Sequence, residues 1–266
     1  MKRFLICLLS LFFFIQISFS QKHQANDSLY IWAVSGLNMR VTPDLKGEKI
    51  MTIPYGERVK IESKNGDLPA IKVLFRKGRK VEGDEGGLPD RYNGENIKTI
   101  PDFFIEGHWV KISYYGIEGY LFDGYLSSLP TLKAKVDTLA NGKKHLRLKE
   151  NFHDWAKRNF GEFKTLEIKD EKYETGESIK TYNNGIMEYL SWSKASESTI
   201  IIPNISLNEG FLLFNLEFNL ESNDEGNESI IIRGKNNRSI SFSDNICGIF
   251  LQVTNHAFII ESFCAC

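Results

Sequence analysis

The chain has 266 residues, with 33 Lys and Arg against 34 Asp and Glu, 42% apolar residues and 12% aromatic ones. That balance excludes a disordered, collagen-like or coiled-coil protein. A net charge of −1 argues against a nucleic-acid binder, which needs a basic surface, and the length suits one or two domains with cores of their own.

Residues 1–20 predict a cleaved export signal. Lys2 and Arg3 form a basic start, and Phe4 to Ile17 form an apolar run too short for a ~30 Å hydrocarbon core. Ser18 and Ser20 sit at −3 and −1 of a small-x-small site, which makes Gln21 the mature N-terminus. The expected location is periplasmic or secreted, with no transmembrane anchor after cleavage. Cys247, Cys264 and Cys266 remain in an oxidising compartment, where one disulfide and one leftover thiol is the simplest arrangement.

From residue 28 to 130 the chain reads as short strands broken by turns. Tyr30–Val34 opens the series, a polar loop follows Arg40, and Lys49–Tyr55 leads to a turn at Gly56. In Arg58–Ser63, Val59 and Ile61 alternate with charged residues, as a half-buried strand requires. Val110 and Ile112 alternate with Trp109 and Lys111 in the same way, and a Tyr115-Gly116 turn leads into the closing segment.

Four segments in order carry a resemblance: Gly36-Leu37-Asn38-Met39-Arg40, the Tyr55-Gly56 turn, Gly107-His108-Trp109-Val110-Lys111-Ile112, and Gly119-Tyr120-Leu121-Phe122-Asp123-Gly124-Tyr125-Leu126. Together they resemble the bacterial SH3 (SH3b) domain, and the resemblance implies a small SH3-like barrel over residues 28–130. An SH3b domain joins Ser63 to Trp109 by a short distal loop, whereas residues 64–106 intervene here. An insertion of that length is expected to carry structure. Ala70–Phe75 and Arg79–Val81 are predicted to pair as a hairpin around Lys77-Gly78, its basic tip a solvated turn, followed by a mobile loop over Gly83–Asn96.

SH3-like barrels bind extended peptides on aromatic-lined grooves. By alternation Tyr120 and Phe122 share one face and Leu121 the other. Tyr55, Trp109, Tyr114 and Tyr125 are the candidates for a partly exposed ligand surface.

Residues 131–149 are polar and read as a linker, and 150–266 as a β-rich domain that resembles no family. Its one short helix is capped by Asn151, carries Phe152, Trp155, Ala156 and Phe160 as a stripe, and stops at Gly161. The rest reads as strands, Phe211–Leu220 among them, in a sandwich- or barrel-like arrangement. The expected fold class is mostly β throughout, and the two halves are expected to fold independently.

Chemistry is hard to find. Cys247 and His256 have the wrong spacing and context for a cysteine peptidase. There is no Gly-x-Ser-x-Gly elbow and no His-Glu-x-x-His helix. His145 and His153 lack a second ligand at metal spacing. No cofactor, metal or catalytic residue is expected. The predicted function is an exported, non-catalytic binding or scaffold protein of the bacterial envelope, whose partner is a peptide, a peptidoglycan fragment or an envelope protein. The alternatives are an envelope enzyme with a catalytic C-terminal half targeted by the SH3b-like part, and an inhibitor or immunity-type protein.

With Asn255-His256 as a two-residue turn, Val253 faces Phe258, Leu251 faces Ile260, Ile249 faces Ser262, and Cys247 faces Cys264. That register predicts a Cys247–Cys264 bridge, with Cys266 left free or paired between molecules.

Overall fold

The computed structural model describes residues 23–64, 69–80, 99–138, 144–170, 175–192, 195–217, 230–234, 238–243 and 247–265. Residues 1–20, expected as an export signal, Gly83–Asn96, expected as a loop, and Cys266 lie outside the described residues. Both halves are mostly β, as the strand pattern predicts.

The N-terminal strands are β1 (Ser28–Ile31), β2 (Leu37–Arg40), β3 (Lys49–Ile53) and β4 (Arg58–Lys64). The insertion supplies β5 (Ile71–Arg76), β6 (Arg79–Lys80), β7 (Thr99–Ile100) and β8 (Phe103–Gly107). Then come β9 (Trp109–Tyr114), β10 (Ile117–Phe122), a single 3-10 turn at Asp123–Tyr125, and β11 (Leu126–Ser127). Seven of these form an antiparallel sheet in the order β11-β1-β4-β9-β10-β2-β3. Its inner face buries Leu29, Ile31, Met39, Val59, Ile61, Ile112 and Leu121 in a small core. The alternation of period two therefore places Leu121 inside while Phe122 and Tyr120 pack on the opposite face.

The insertion departs from its expected pairing. β5 pairs with β8, not with Arg79–Val81, and β6 pairs with β7 further out. The reason is apolar matching. β8 offers buried Phe103 and Ile105, and the register sets Val73 opposite Ile105.

Beyond β11 the polar stretch expected as linker contains a hairpin, β12 (Ala134–Thr138) against β13 (Lys144–Leu148). Helix α1 (Phe152–Phe160) follows, with the Asn151 side chain accepting the Asp154 amide at 2.9 Å and Phe152, Trp155 and Ala156 buried. The next strands are β14 (Phe163–Asp170), β15 (Thr175–Tyr182), β16 (Met187–Trp192) and β17 (Ala195–Pro203). Helix α2 (Leu207–Glu217) intervenes before β18 (Ile230–Arg233), β19 (Ser239–Ser243), β20 (Cys247–Val253) and β21 (Ala257–Ala265). The eight strands form one antiparallel sheet, ordered β14-β15-β16-β17-β21-β20-β19-β18. The β20–β21 register sets Val253 opposite Phe258, Leu251 opposite Ile260 and Cys247 opposite Cys264, as the turn composition predicts.

Helix α2 corrects the strand expected at Phe211–Leu220. A run such as Phe211-Leu212-Leu213-Phe214 has no alternation, so it suits a buried strand and a buried helix equally. The decision lies upstream, in Ser206-x-x-Glu209. The Ser206 hydroxyl accepts the Glu209 amide at 3.2 Å, and the Glu209 carboxylate accepts the Ser206 amide at 3.1 Å. This reciprocal cap starts a helix. Leu207, Phe211, Leu212, Leu213, Phe214 and Leu216 are all buried, and so are Glu209 and Asn215, so α2 is enclosed by other elements all round, which its many apolar residues suit.

That enclosure joins the halves. α2 lies between the 3-10 turn of the first half and β20 of the second. Phe211 packs edge-on against Phe75 and tilted against Phe103, with centroids 5.1 and 5.0 Å away. On its other side Gly210 meets the Phe258 ring so closely that a Cβ there would overlap it. The larger core runs from Trp32, Trp109 and Phe122 through Trp155 and Phe211 to Ile240, Leu251 and Phe258, and so crosses the expected domain boundary at residue 131. The crossing itself is clamped. The carbonyls of Leu129, Pro130, Thr131 and Leu132 accept, in turn, Trp32 Nε1, Trp155 Nε1, Arg158 Nη2 and the Tyr55 hydroxyl, at 2.9, 2.7, 3.0 and 3.0 Å.

Candidate binding surface

The four aromatic candidates go to different places. Trp109 is 4% exposed and belongs to the larger core, so its indole offers no surface. Tyr125 is half-buried, edge-on to Phe122 at 6.0 Å, and touches both cores. Tyr55 is half-buried and spends its hydroxyl on the Leu132 carbonyl. Burial pushes its phenol up, with Glu150 adding to the rise. Those three side chains hold the protein together.

Tyr114 remains at the rim. It ends β9 half-buried, and its hydroxyl donates to Glu57 Oε2 at 3.1 Å. Burial, then the Glu57 hydrogen bond and charge, push its phenol up to about 12. Its ring stands edge-on to Tyr115, with centroids 4.6 Å apart.

Tyr115 is the residue missing from the sequence expectation. It is 86% exposed, the highest value among the described large hydrophobic residues. Together with Gly116 it makes the two-residue turn between β9 and β10, and both have positive φ, 49° and 78°. Such a turn prefers Asn or Gly at its first position, and a bulky aromatic there is unusual. The signal was in the Tyr-Gly dipeptide, which marks a turn and puts the ring in water.

Apolar neighbours extend this end of the sheet. Ile117, the first residue of β10, is exposed, as are Val41 and Leu45 in the loop leaving β2. Arg40 is the Cα partner of Tyr120, so the chain leaving Arg40 runs beside the start of β10. Arg40 itself fixes that loop by donating to the Gly47 carbonyl at 2.5 Å. Flat rings beside branched aliphatic groups can stack on the apolar faces of a peptide or of sugar rings, and the Tyr115 hydroxyl adds a polar contact.

In the second half, polar side chains converge at one place. The Tyr182 hydroxyl lies 2.7 Å from His153 Nδ1 and donates to Glu188 Oε1 at 3.3 Å, while Lys180 Nζ stands 3.6 Å from Glu188 Oε2. Tyr182 is buried, and burial followed by the Glu188 charge pushes its phenol up. It therefore stays protonated at neutral pH, and the cluster pins α1 to β15 and β16. An open cleft of about 520 Å³ lies at the tip of the β20–β21 hairpin, lined by Arg238, Ser239, Phe250, Gln252 and His256. There Arg238 donates to the Val253 carbonyl and to Asn255 Oδ1, at 3.2 and 3.1 Å. Among the described residues no group of three or more His, Cys, Asp or Glu side chains has the geometry to hold a metal ion. No described helix is long and apolar enough to cross a membrane.

No family model matches the chain, and neither the curated proteins nor the solved structures contain a significant match to it.

Proposed function

We propose that the chain is an exported, non-catalytic binding or scaffold protein of the bacterial envelope, whose N-terminal SH3b-like half recognises a peptide, a peptidoglycan fragment or an envelope protein. The observation that carries this reading is Tyr115. An aromatic ring 86% exposed, on a positive-φ position, is held in an arrangement that folding alone would not select. Tyr114 packs edge-on beside it and Ile117 extends it, which together make an aromatic contact of the kind that serves recognition. Export rests on the basic Lys2-Arg3 start, the apolar run to Ile17 and the Ser18-x-Ser20 site.

The test is retention of the purified protein on insoluble peptidoglycan and, separately, on immobilised envelope extract. The reading expects retention by one of the two and its loss in Tyr115→Ala, with the circular dichroism spectrum unchanged. A folded protein retained by neither, or retained equally with Tyr115→Ala and Tyr114→Ala, overturns it.

A further inference from the structure

The eight-stranded sheet has two edges, and they differ. β18 lies beside β7 and β8 of the insertion, which cover that side. β14, at the other edge, has no neighbour on its outer side among the described residues. It is eight residues long, pairs with β15 through eight consecutive positions without a bulge and contains no proline. Every residue from Lys164 to Asp170 is exposed, Leu166 at 59% and Ile168 at 60%. Long, unbulged, partly apolar edges of this kind are templates for another strand.

The side-chain order indicates which strand. On one face β14 presents Lys164, Leu166, Ile168 and Asp170. Read in the opposite direction, the same four positions run acid, apolar, apolar, base. An antiparallel copy centred on Glu167 therefore sets Lys164 opposite Asp170 twice and Leu166 opposite Ile168 twice, with every pair on one face. On the other face Thr165 meets Lys169, and Glu167 meets its own counterpart. Lys169 Nζ already stands 3.0 Å from Glu167 Oε2 within one chain, so the two central carboxylates would be bracketed by two ammonium groups. Shifting the centre to Leu166 sets Lys164 opposite Ile168 and loses both ion pairs. A strand that complements itself in this way fits a two-fold axis normal to the sheet, and the low net charge of the chain does not oppose association.

We propose that a second copy of this chain pairs with β14 through its own β14, centred on Glu167, and that the two eight-stranded sheets become one continuous sheet. The partner is the same protein, so this surface is distinct from the aromatic end of the N-terminal sheet and does not depend on its ligand.

Sedimentation velocity on the full purified chain across the micromolar range tests the proposal. It expects a reversible monomer–dimer equilibrium. Lys164→Asp and Asp170→Lys, each turning two attractive pairs into two repulsive ones, should each weaken dimerisation about tenfold or more. The double variant Lys164→Asp/Asp170→Lys should restore it. Glu167→Cys in a Cys266→Ser background should give a disulfide-linked dimer on mild air oxidation that Cys266→Ser alone does not give, because residues on the axis face each other. A monomer at every concentration overturns the proposal, as does a dimer unaffected by either single charge reversal. Failure of Glu167→Cys to cross-link overturns the register. Since all three positions are exposed on an edge, circular dichroism should show the fold retained in each variant.

Discussion

The carboxylate of Glu209, on α2, accepts the backbone amide of Ser128 at 2.9 Å across 81 residues of chain. The same oxygen, Oε1, accepts the hydroxyls of Ser127 and Ser128, both at 2.9 Å. The second oxygen, Oε2, accepts the amide and hydroxyl of Ser206 at 3.1 and 3.0 Å. The residue is 3% exposed. A carboxylate taken out of water needs several hydrogen bonds to compensate its lost hydration, and here those bonds couple the end of the first sheet to the start of the helix that covers it.

Glu209→Ala should therefore destabilise the protein by about 3 kcal/mol, because several donors lose their acceptor in a buried place. Glu209→Gln keeps the shape and should cost less, about 1–2 kcal/mol. Urea unfolding followed by fluorescence and by far-ultraviolet circular dichroism measures both. The shared core further predicts that the two probes give one coincident transition. Two separate transitions in the parent chain would show that the halves are energetically independent.

The tyrosines predict behaviour in alkali. The phenol of Tyr114 is pushed up to about 12, and those of Tyr55 and Tyr182 are pushed up as well, in each case by burial first. The folded state thus holds these protons more tightly than the unfolded chain, whose phenols titrate near 10. Their contribution to stability is complete below about pH 10 and is lost as pH rises toward the folded values. The urea midpoint should fall steeply above about pH 10, and Tyr182→Phe should make the fall shallower.

On the acid side the relevant group is Glu150. Burial acts to raise its carboxyl, but the hydrogen bond from Arg158 and the amide of Lys133, each at 2.5 Å, outweigh burial and hold it below the usual carboxylate range. Its stabilising effect is present above the ordinary Glu value, near 4.3, and disappears as pH falls through the folded one. Glu150→Gln should lower stability at neutral pH and flatten the acid limb of the profile.

The Cys247–Cys264 register predicts a bridge. Directly opposed antiparallel residues have Cα atoms ~4.5–5.5 Å apart, which is within disulfide reach. Peptide mapping of unreduced, alkylated protein should recover the two cysteines in one linked pair, and reduction should lower stability by roughly 3 kcal/mol on the chain-entropy view. Three alkylated thiols, or a bridge through Cys266, would contradict it.

Tyr115→Asn should raise stability by about 0.5 kcal/mol, since Asn accepts the left-handed backbone more readily than a bulky ring. The same variant should lose retention on its ligand. Thermal unfolding and the retention assay together separate this outcome from a merely structural role for the ring, in which stability would fall.

Much of the strand pattern was legible because alternation is local. Leu121 against Tyr120 and Phe122, Val59 with Ile61, and the pairing of β20 with β21 all follow from period two and turn chemistry. What alternation cannot supply is which face stays wet. Trp109, expected at a surface, is buried in a core that also takes in elements about a hundred residues further along the chain, Phe211 among them. Helix α2 escapes alternation for a related reason: its apolar run carries no period, and only the Ser206–Glu209 cap distinguishes it from a strand. Alternation along β9 ends at Tyr114 and carries no information about the exposure of the turn residue after it, Tyr115.

The clamp on the four carbonyls from Leu129 to Leu132 bears on how such a chain can change over generations. Two of its donors, Trp32 and Tyr55, come from the first half and two, Trp155 and Arg158, from the second. Grafting either half onto an unrelated neighbour would strand indole and phenol donors beside an unsatisfied backbone, and would leave Trp109 and Phe122 uncovered. The halves are therefore expected to be inherited as a pair. Variation can accumulate in the exposed turns, but recombination at the crossing would be selected against even though the polar stretch that follows it, from Lys133, looks like a natural place to cut.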